Sequence, residues 1–176
     1  MAVDLATLIP DVADFPRPGI GFKDITPLLA SPGGLAAAVE GLVRAAPADV
    51  DVVLGLEARG FIFGPAVALA LGVGFVPVRK PGKLPRATVQ TTFDLEYGTD
   101  TVAVHADAVR PGARVLLIDD VLATGGTLVA AADLVDQLEA EVVGIAVVAE
   151  LVFLPGRERL AAAGLDVTAL VRFEAP

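Results

Sequence analysis

At 176 residues the chain fits one domain of ordinary size, and the absence of cysteine, with a single histidine, leaves neither a disulfide framework nor a zinc cluster. A secreted mini-protein and a zinc enzyme are thereby excluded. The 13 Lys and Arg stand against 22 Asp and Glu, a net charge of −9, the opposite of what a general nucleic-acid binder needs, so an anionic ligand would have to be met by a local basic cluster.

In chain order, the N-terminus holds Asp4, Asp11 and Asp14 with no basic run before an apolar core, which argues against a signal peptide. Residues 14–29 contain Pro16, Pro18, Gly19, Gly21 and Pro27 and cannot form regular helix. The first 34 residues or so are expected to form a small hood on the ligand face. Leu35, Ala38, Leu42 and Ala45 share one face of a predicted helix over 35–46, and a strand is predicted over 50–54.

Residues 61–78 form an uncharged run of 18, just long enough for a membrane span, but Gly64, Pro65, Gly72, Gly74 and Pro77 break it. The expectation is a buried helix turning into a strand at 73–78. A polar insertion over 79–101 follows; unstructured loops of that length inside a compact domain tend to be functional. His105 alternates with Thr101 and Ala103, as a half-exposed strand residue would. Strands are predicted over 115–118, 142–148 and 167–170. A helix over 127–140 turns Leu128, Ala131, Val135 and Leu138 inward and Asp133, Asp136 and Glu139 outward. All-apolar strands alternating with amphipathic helices predict an α/β fold, a single domain over 1–176 built on an open, mainly parallel sheet with helices on both faces. A cytoplasmic location is expected, and the 55% apolar content suits a subunit interface as well as a core.

The densest chemistry lies in Val-Leu-Leu-Ile-Asp-Asp-Val-Leu-Ala-Thr-Gly-Gly-Thr at 115–127. A strand ending at Ile118 would place Asp119 and Asp120 just past its C-terminal end, where ligands of open α/β sheets bind. Ala123, Thr124, Gly125, Gly126 and Thr127 can turn backbone N–H groups and two hydroxyls toward a phosphate at a helix N-terminus. The two carboxylates suit the hydroxyls of a ribose, which donate hydrogen bonds to them. The segment then describes a ribose 5-phosphate; taken alone, Thr-Gly-Gly-Thr is also an ordinary strand-to-helix turn, and with no Lys after the second glycine it is not a Walker loop.

The whole run resembles the phosphoribosyl-diphosphate (PRPP) signature of the type I phosphoribosyltransferases. Three further segments resemble the adenine phosphoribosyltransferases: Phe-Pro-Arg-Pro-Gly-Ile-Gly-Phe-Lys-Asp-Ile-Thr-Pro-Leu-Leu at 15–29, Gly-Leu-Glu-Ala-Arg-Gly-Phe-Ile-Phe-Gly-Pro at 55–65, and Arg-Lys-Pro-Gly-Lys-Leu-Pro at 79–85 followed by Leu-Glu-Tyr-Gly at 95–98. The resemblance covers about Phe15 to Arg159. It implies transfer of the phosphoribosyl group of PRPP to adenine, yielding AMP and pyrophosphate in purine salvage, with Mg²⁺ arriving mainly on PRPP and a homodimer as the assembly. No nucleic-acid or membrane partner is expected.

The resemblance further assigns residues 55–60 to a pyrophosphate loop, with Glu57, Ala58 and Arg59 as its contacts and a cis bond at Glu57–Ala58, Arg59 also contributing to catalysis and to the base. Arg79, Lys80 and Lys83, with Arg86 close by, would form a mobile basic cover over the pyrophosphate, although a charge run is also the usual mark of a solvated loop. Glu96, beside Tyr97, would act as acid and base near N7 of the purine. Gly21, Phe22 and Lys23 would form one wall of the adenine pocket, with Phe22 stacking, and Leu151 the other. Gly21 departs from the larger apolar residue of some relatives. Ala123 stands where enzymes for 6-oxopurines carry an aspartate, which favours adenine. The rival expectations are a phosphoribosyltransferase for a 6-oxopurine or a pyrimidine, and a non-catalytic regulator that senses PRPP.

Overall fold

Strands apolar on both faces must be covered on both faces, and the architecture follows from that requirement. The computed structural model describes residues 3–15, 17–19, 21–94 and 98–175. A 3-10 turn at Leu5–Leu8, strands β1 (Asp11–Val12) and β2 (Phe22–Lys23) and the short helix α1 (Thr26–Ala30) make the N-terminal segment. The order continues α2 (Pro32–Ala45), β3 (Val52–Leu56), α3 (Gly60–Leu71), β4 (Gly74–Val78), β5 (Thr88–Asp94), β6 (Thr99–His105), β7 (Arg114–Leu122), α4 (Gly126–Gln137), β8 (Glu141–Leu151), α5 (Gly156–Ala162) and β9 (Thr168–Phe173).

The central sheet runs β4-β3-β7-β8-β9 with every pairing parallel. Alternation along each strand feeds two cores. Val53, Leu116, Ile118, Ala146 and Val148 face α1, α2 and α3 through Leu28, Leu42, Phe63 and Val67. Leu54, Leu56, Leu117, Ile145 and Val147 face the other way, toward Leu128, Leu134, Val135 and Leu160 of α4 and α5 and toward Val102 and Val104 of β6. Each fully buried Leu or Ile contributes about 1.5–3 kcal/mol relative to an exposed one.

Helix ends follow local chemistry. Ser31 caps α2 by accepting the Gly34 N–H at 3.1 Å, with Pro32 at the first helical position. The run at 61–78 is indeed a helix followed by a strand: α3 stops at Gly72, whose φ of 71° only glycine adopts freely, and β4 follows.

Three expectations need correction. Strand β7 continues to Leu122 rather than ending at Ile118, because its ladder with β8 runs on through Leu122↔Glu150. The polar stretch at 79–101 is not loop throughout: β5 and β6 pair antiparallel from Thr88↔His105 to Asp94↔Thr99. Val89 and Phe93 turn inward against the core, and the Gln137 amide at the end of α4 donates to Thr91 Oγ1 at 2.7 Å. Arg79 is bridged to Ala103 by two backbone hydrogen bonds. Finally, α5 is not among the predicted elements, and α1 makes a short helix inside the 14–29 segment expected to hold none, because Pro27 falls in its first turn, where the missing N–H has no intrahelical partner to lose.

The N-terminal segment is fastened to the far end of the chain. The Lys23 ammonium, on a buried residue, pairs with Asp11 and lies 4.4 Å from the centroid of the Phe173 ring in β9. Leu5 and Leu8 pack in the same cluster as Leu170 and Phe173.

Candidate active site

Going outward from β3 and β7, the chain turns to opposite faces of the sheet: β3 leads into α3 on one side and β7 into α4 on the other. Two neighbouring parallel strands whose connections diverge leave a crevice at their carboxyl ends. Both motif loops, residues 57–59 and 123–125, open into that crevice.

The loop after β7 is shaped by glycine. Gly125 has φ 76°, and a Cβ placed on it would lie 2.8 Å from the Gly156 carbonyl oxygen. A Cβ on Gly156, the first residue of α5, would lie 2.2 Å from the Ala123 carbonyl oxygen. The loop and the start of α5 therefore touch through backbone alone. No side chain caps α4, so its first N–H groups are left for an anion. Asp119, Ala123, Thr124, Gly125 and Thr127 line a cavity of about 70 Å³ there, the scale of a single phosphate group. Gly125→Ala is expected to cost about 1–3 kcal/mol through the left-handed backbone and the overlap with Gly156, and to weaken PRPP binding. Thermal melting and calorimetry with PRPP check both effects.

The two carboxylates differ in setting because they lie inside β7, where successive side chains point to opposite faces. Asp120 is 3% exposed, and Arg59 Nε lies 2.7 Å from its Oδ2. The N–H does not aim at that oxygen, which has no directed hydrogen bond among the described residues, so the contact is an ion pair with accepting capacity to spare. Burial pushes the Asp120 carboxyl up, with the Arg59 charge opposing. Asp119 lines that small cavity, and its Oδ1 accepts the Asp120 N–H at 2.9 Å. Burial, then the neighbouring Asp120 charge, push the Asp119 carboxyl well above the usual carboxylate range. Gly60 at the start of α3 makes room for it: a Cβ there would lie 3.1 Å from Asp119 Oδ1.

In the loop after β3 the Glu57–Ala58 peptide is cis. The Glu57 side chain turns to cations: it accepts the Lys80 N–H at 2.8 Å and the Arg79 guanidinium at 3.2 and 3.3 Å. The Lys80 hydrogen bond first, then Arg79, hold its carboxyl below the usual range, against burial. Lys80 pairs with Asp100 and Arg86 with Asp107. Among the described residues, Lys83 alone of the four basic side chains makes no ion pair, and it is exposed. The cluster expected to face a diphosphate as a unit is thus mostly engaged with carboxylates of its own chain.

On the hood side, the Arg59 guanidinium sits 5.1 Å from the Phe22 ring centroid, and Phe15 meets Phe22 edge-on at 5.0 Å. Gly21 is exposed and Phe22 half-buried, so the ring remains available to a planar ligand. Lys23 points elsewhere, to Asp11 and Phe173, which leaves its backbone rather than its ammonium for a base. Leu151 ends β8, half-buried. Glu96 and Tyr97 lie outside the described residues. Sequence reasoning missed Gly156, and placed Gly60 only in the expected pyrophosphate loop, without the room it makes for Asp119.

A model of the phosphoribosyl transferase domain matches residues 23–160. The adenine phosphoribosyltransferase of Cutibacterium acnes is 62% identical over 161 residues, 92% of this chain and 91% of that protein. The crystal structure of the adenine phosphoribosyltransferase of Thermoanaerobacter pseudethanolicus superposes with a TM-score of 0.92 at 47% identity, covering 96% of this chain and 98% of that one. That of Saccharomyces cerevisiae, complexed with adenine and an imino-altritol bisphosphate, gives 0.88 at 42% identity over 94% and 96% of the two chains. The chain belongs to the adenine phosphoribosyltransferase family, and the expected type I phosphoribosyltransferase fold is borne out with it.

Proposed function

We propose that this chain transfers the phosphoribosyl group of PRPP to adenine, forming AMP and pyrophosphate. The observation that carries the reading is the meeting, at one end of the sheet, of a phosphate-sized cradle, the Asp119 and Asp120 carboxylates and an arginine placed against an exposed aromatic hood.

In this reading residues 123–127 hold the 5′-phosphate through backbone N–H groups and hydroxyls, and Asp119 and Asp120 accept the ribose hydroxyls. Phe22 stacks on the purine, with Gly21 and Lys23 contributing backbone contacts and Leu151 closing the opposite wall. Adenine N9 bonds to C1′ as the bond from C1′ to the diphosphate oxygen breaks, and charge develops on both fragments. Arg59, the backbone of Glu57 and Ala58, and Lys83 oppose the charge on the departing pyrophosphate, aided by Arg79 and Lys80 as they exchange partners. Glu96 handles the proton shed by adenine near N7. Of residues 79–101, the basic segment 80–87 ahead of the core-packed β5–β6 hairpin closes over the centre and excludes water, which would otherwise capture the sugar cation. Rate then comes from orientation and fixed electrostatics, with no covalent enzyme intermediate.

Mg²⁺ belongs to the same reading. Among the described residues no three His, Cys, Asp or Glu side chains are grouped to ring a cation. In this reading the ion would be held mainly by the diphosphate and water, Asp119 and Asp120 being the carboxylates that would receive it, and it would neutralise phosphate charge. A homodimer is supported by α3, a helix without a charged or polar side chain whose Leu69 is 82% exposed and Ile62 40%. No described helix is long and apolar enough to cross a membrane. The cytoplasm is the compartment we assign, consistent with the exposed Asp133 and Asp136 on the outer face of α4.

The test is turnover with PRPP, Mg²⁺ and a panel of free bases. Because Ala123 supplies no carboxylate for a 6-oxopurine, kcat/KM for adenine should exceed that for hypoxanthine by at least about a hundredfold. Comparable values would overturn the choice of base. Tight PRPP binding with no turnover on any base would instead mark a regulator.

A further inference from the structure

Glu150 is a buried carboxylate, 2% exposed, that the reaction above does not use. It accepts a two-pronged contact from Arg157, Nε to Oε1 at 2.7 Å and Nη2 to Oε2 at 2.6 Å, and Arg172 Nε reaches Oε2 at 3.3 Å. Arg157 Nη1 also donates to the Val167 carbonyl oxygen at 3.0 Å. Position gives the cluster its meaning. Glu150 immediately precedes Leu151, the proposed wall of the base pocket, and pairs in register with Leu122, the last residue of β7 before the phosphate loop. Arg157 is the second residue of α5 and follows Gly156, on whose backbone that loop rests.

A helix of seven residues has little stability of its own, so its first turn stays where tertiary contacts put it. No side chain caps it. The Glu150–Arg157 fork is the charged contact that fixes the turn to the sheet, and the 2.2 Å clearance between a Gly156 Cβ position and the Ala123 oxygen leaves the loop no freedom to drift independently. On the reading that residues 123–127 bind the 5′-phosphate of PRPP, we infer that Glu150 and Arg157 are positioning residues for that loop: the fork sets α5, and α5 sets the spacing of the N–H groups that hold the phosphate. One carboxylate thereby ties the phosphate cradle to the strand end that carries the base wall.

The experiment compares wild type with Arg157→Lys, which keeps the charge but loses the planar fork, and Glu150→Gln, which keeps the shape but loses the charge and one accepting oxygen. Gly156→Ala perturbs the same loop contact without touching the ion pair. For Arg157→Lys the KM for PRPP should rise about tenfold or more with kcat within about threefold, Glu150→Gln should show a smaller rise, and Gly156→Ala should reproduce the Arg157→Lys pattern. Calorimetry with PRPP and no base should show the same loss of affinity. A merely structural role predicts lower melting temperatures with the KM for PRPP unchanged, and that result overturns the inference. So does a fall in kcat alone, or failure of both ion-pair variants to fold, which would make the fork a requirement of the fold. Wild-type protein that neither binds nor turns over PRPP would overturn the parent reading, whereas normal wild-type turnover with unaltered variants overturns only this one.

Discussion

Replacing Asp119 and Asp120 together by asparagine is expected to lower kcat/KM for PRPP by about 10²–10⁴, from the loss of two charge-assisted hydrogen bonds worth about 1.5–3 kcal/mol each. The same change should raise stability at neutral and alkaline pH. Burial and mutual repulsion lift the Asp119 carboxyl well above its ordinary range, and burial lifts Asp120. A group whose folded-state pKa is raised stabilises the fold below its unfolded pKa, and that contribution disappears as pH climbs through the folded value. Any charge these two carboxyls carry as pH rises is therefore held at a cost that asparagine does not bear. Melting curves should separate variant from wild type at pH 8 and converge near about pH 3, below the unfolded carboxylate pKa. A variant that binds PRPP normally, or one less stable at pH 8 than wild type, would show that these carboxylates serve the fold rather than the ribose.

Arg59→Leu should cut kcat/KM by about 10²–10³, the range for removing one preorganised group from a developing charge. The cost in stability follows from Asp120, whose carboxylate would lose the cation 2.7 Å away while remaining buried. Breaking a fully buried pair costs about 3–5 kcal/mol, but Arg59 has a side chain 41% exposed, and about 1–2 kcal/mol is the scaled expectation. Loss of the arginine pushes the Asp120 carboxyl further up, so the penalty should be larger at pH 8 than at pH 5. Adding Asp120→Asn to Arg59→Leu should restore the melting temperature and leave turnover low. If Arg59→Leu alone kept kcat/KM within threefold, the arginine would be only the partner of a buried acid.

The central sheet was legible because its strands carry apolar runs through their middles and its helices keep a clean period, as with Asp133 and Asp136 facing water on α4. The ends of elements were not. The first charged residue after Ile118 suggested the end of β7, yet Val121 and Leu122 continue the ladder, which sets Asp119 and Asp120 inside the strand with side chains on opposite faces. The hairpin was hidden by composition: Thr-Val-Gln-Thr-Thr-Phe-Asp at 88–94 alternates as a strand, but only Val89 and Phe93 are strongly apolar and they sit among threonines. Spacing alone placed Asp119, Asp120 and the phosphate loop side by side. It could not tell which basic residues were already paired, since Arg79 with Glu57 and Lys80 with Asp100 are joined across 22 and 20 residues of chain. Long-range partners of that kind leave no periodic trace.

The fastening of the hood to the last strand has a bearing on how the molecule is made. During synthesis the hood residues emerge first and β9 last, yet Lys23 rests over the ring of Phe173, and Leu5 and Leu8 share a core with Leu170. The N-terminal segment therefore cannot settle when it leaves the ribosome; it waits through some 150 residues of further translation before its counterpart exists. The phosphate cradle, formed between β7 and α5, has its parts available earlier. Growth of the chain thus assembles the β7–α5 side of the crevice before the side built on Phe22, and a nascent chain halted before β9 would carry an almost complete sheet with its N-terminal segment unmoored.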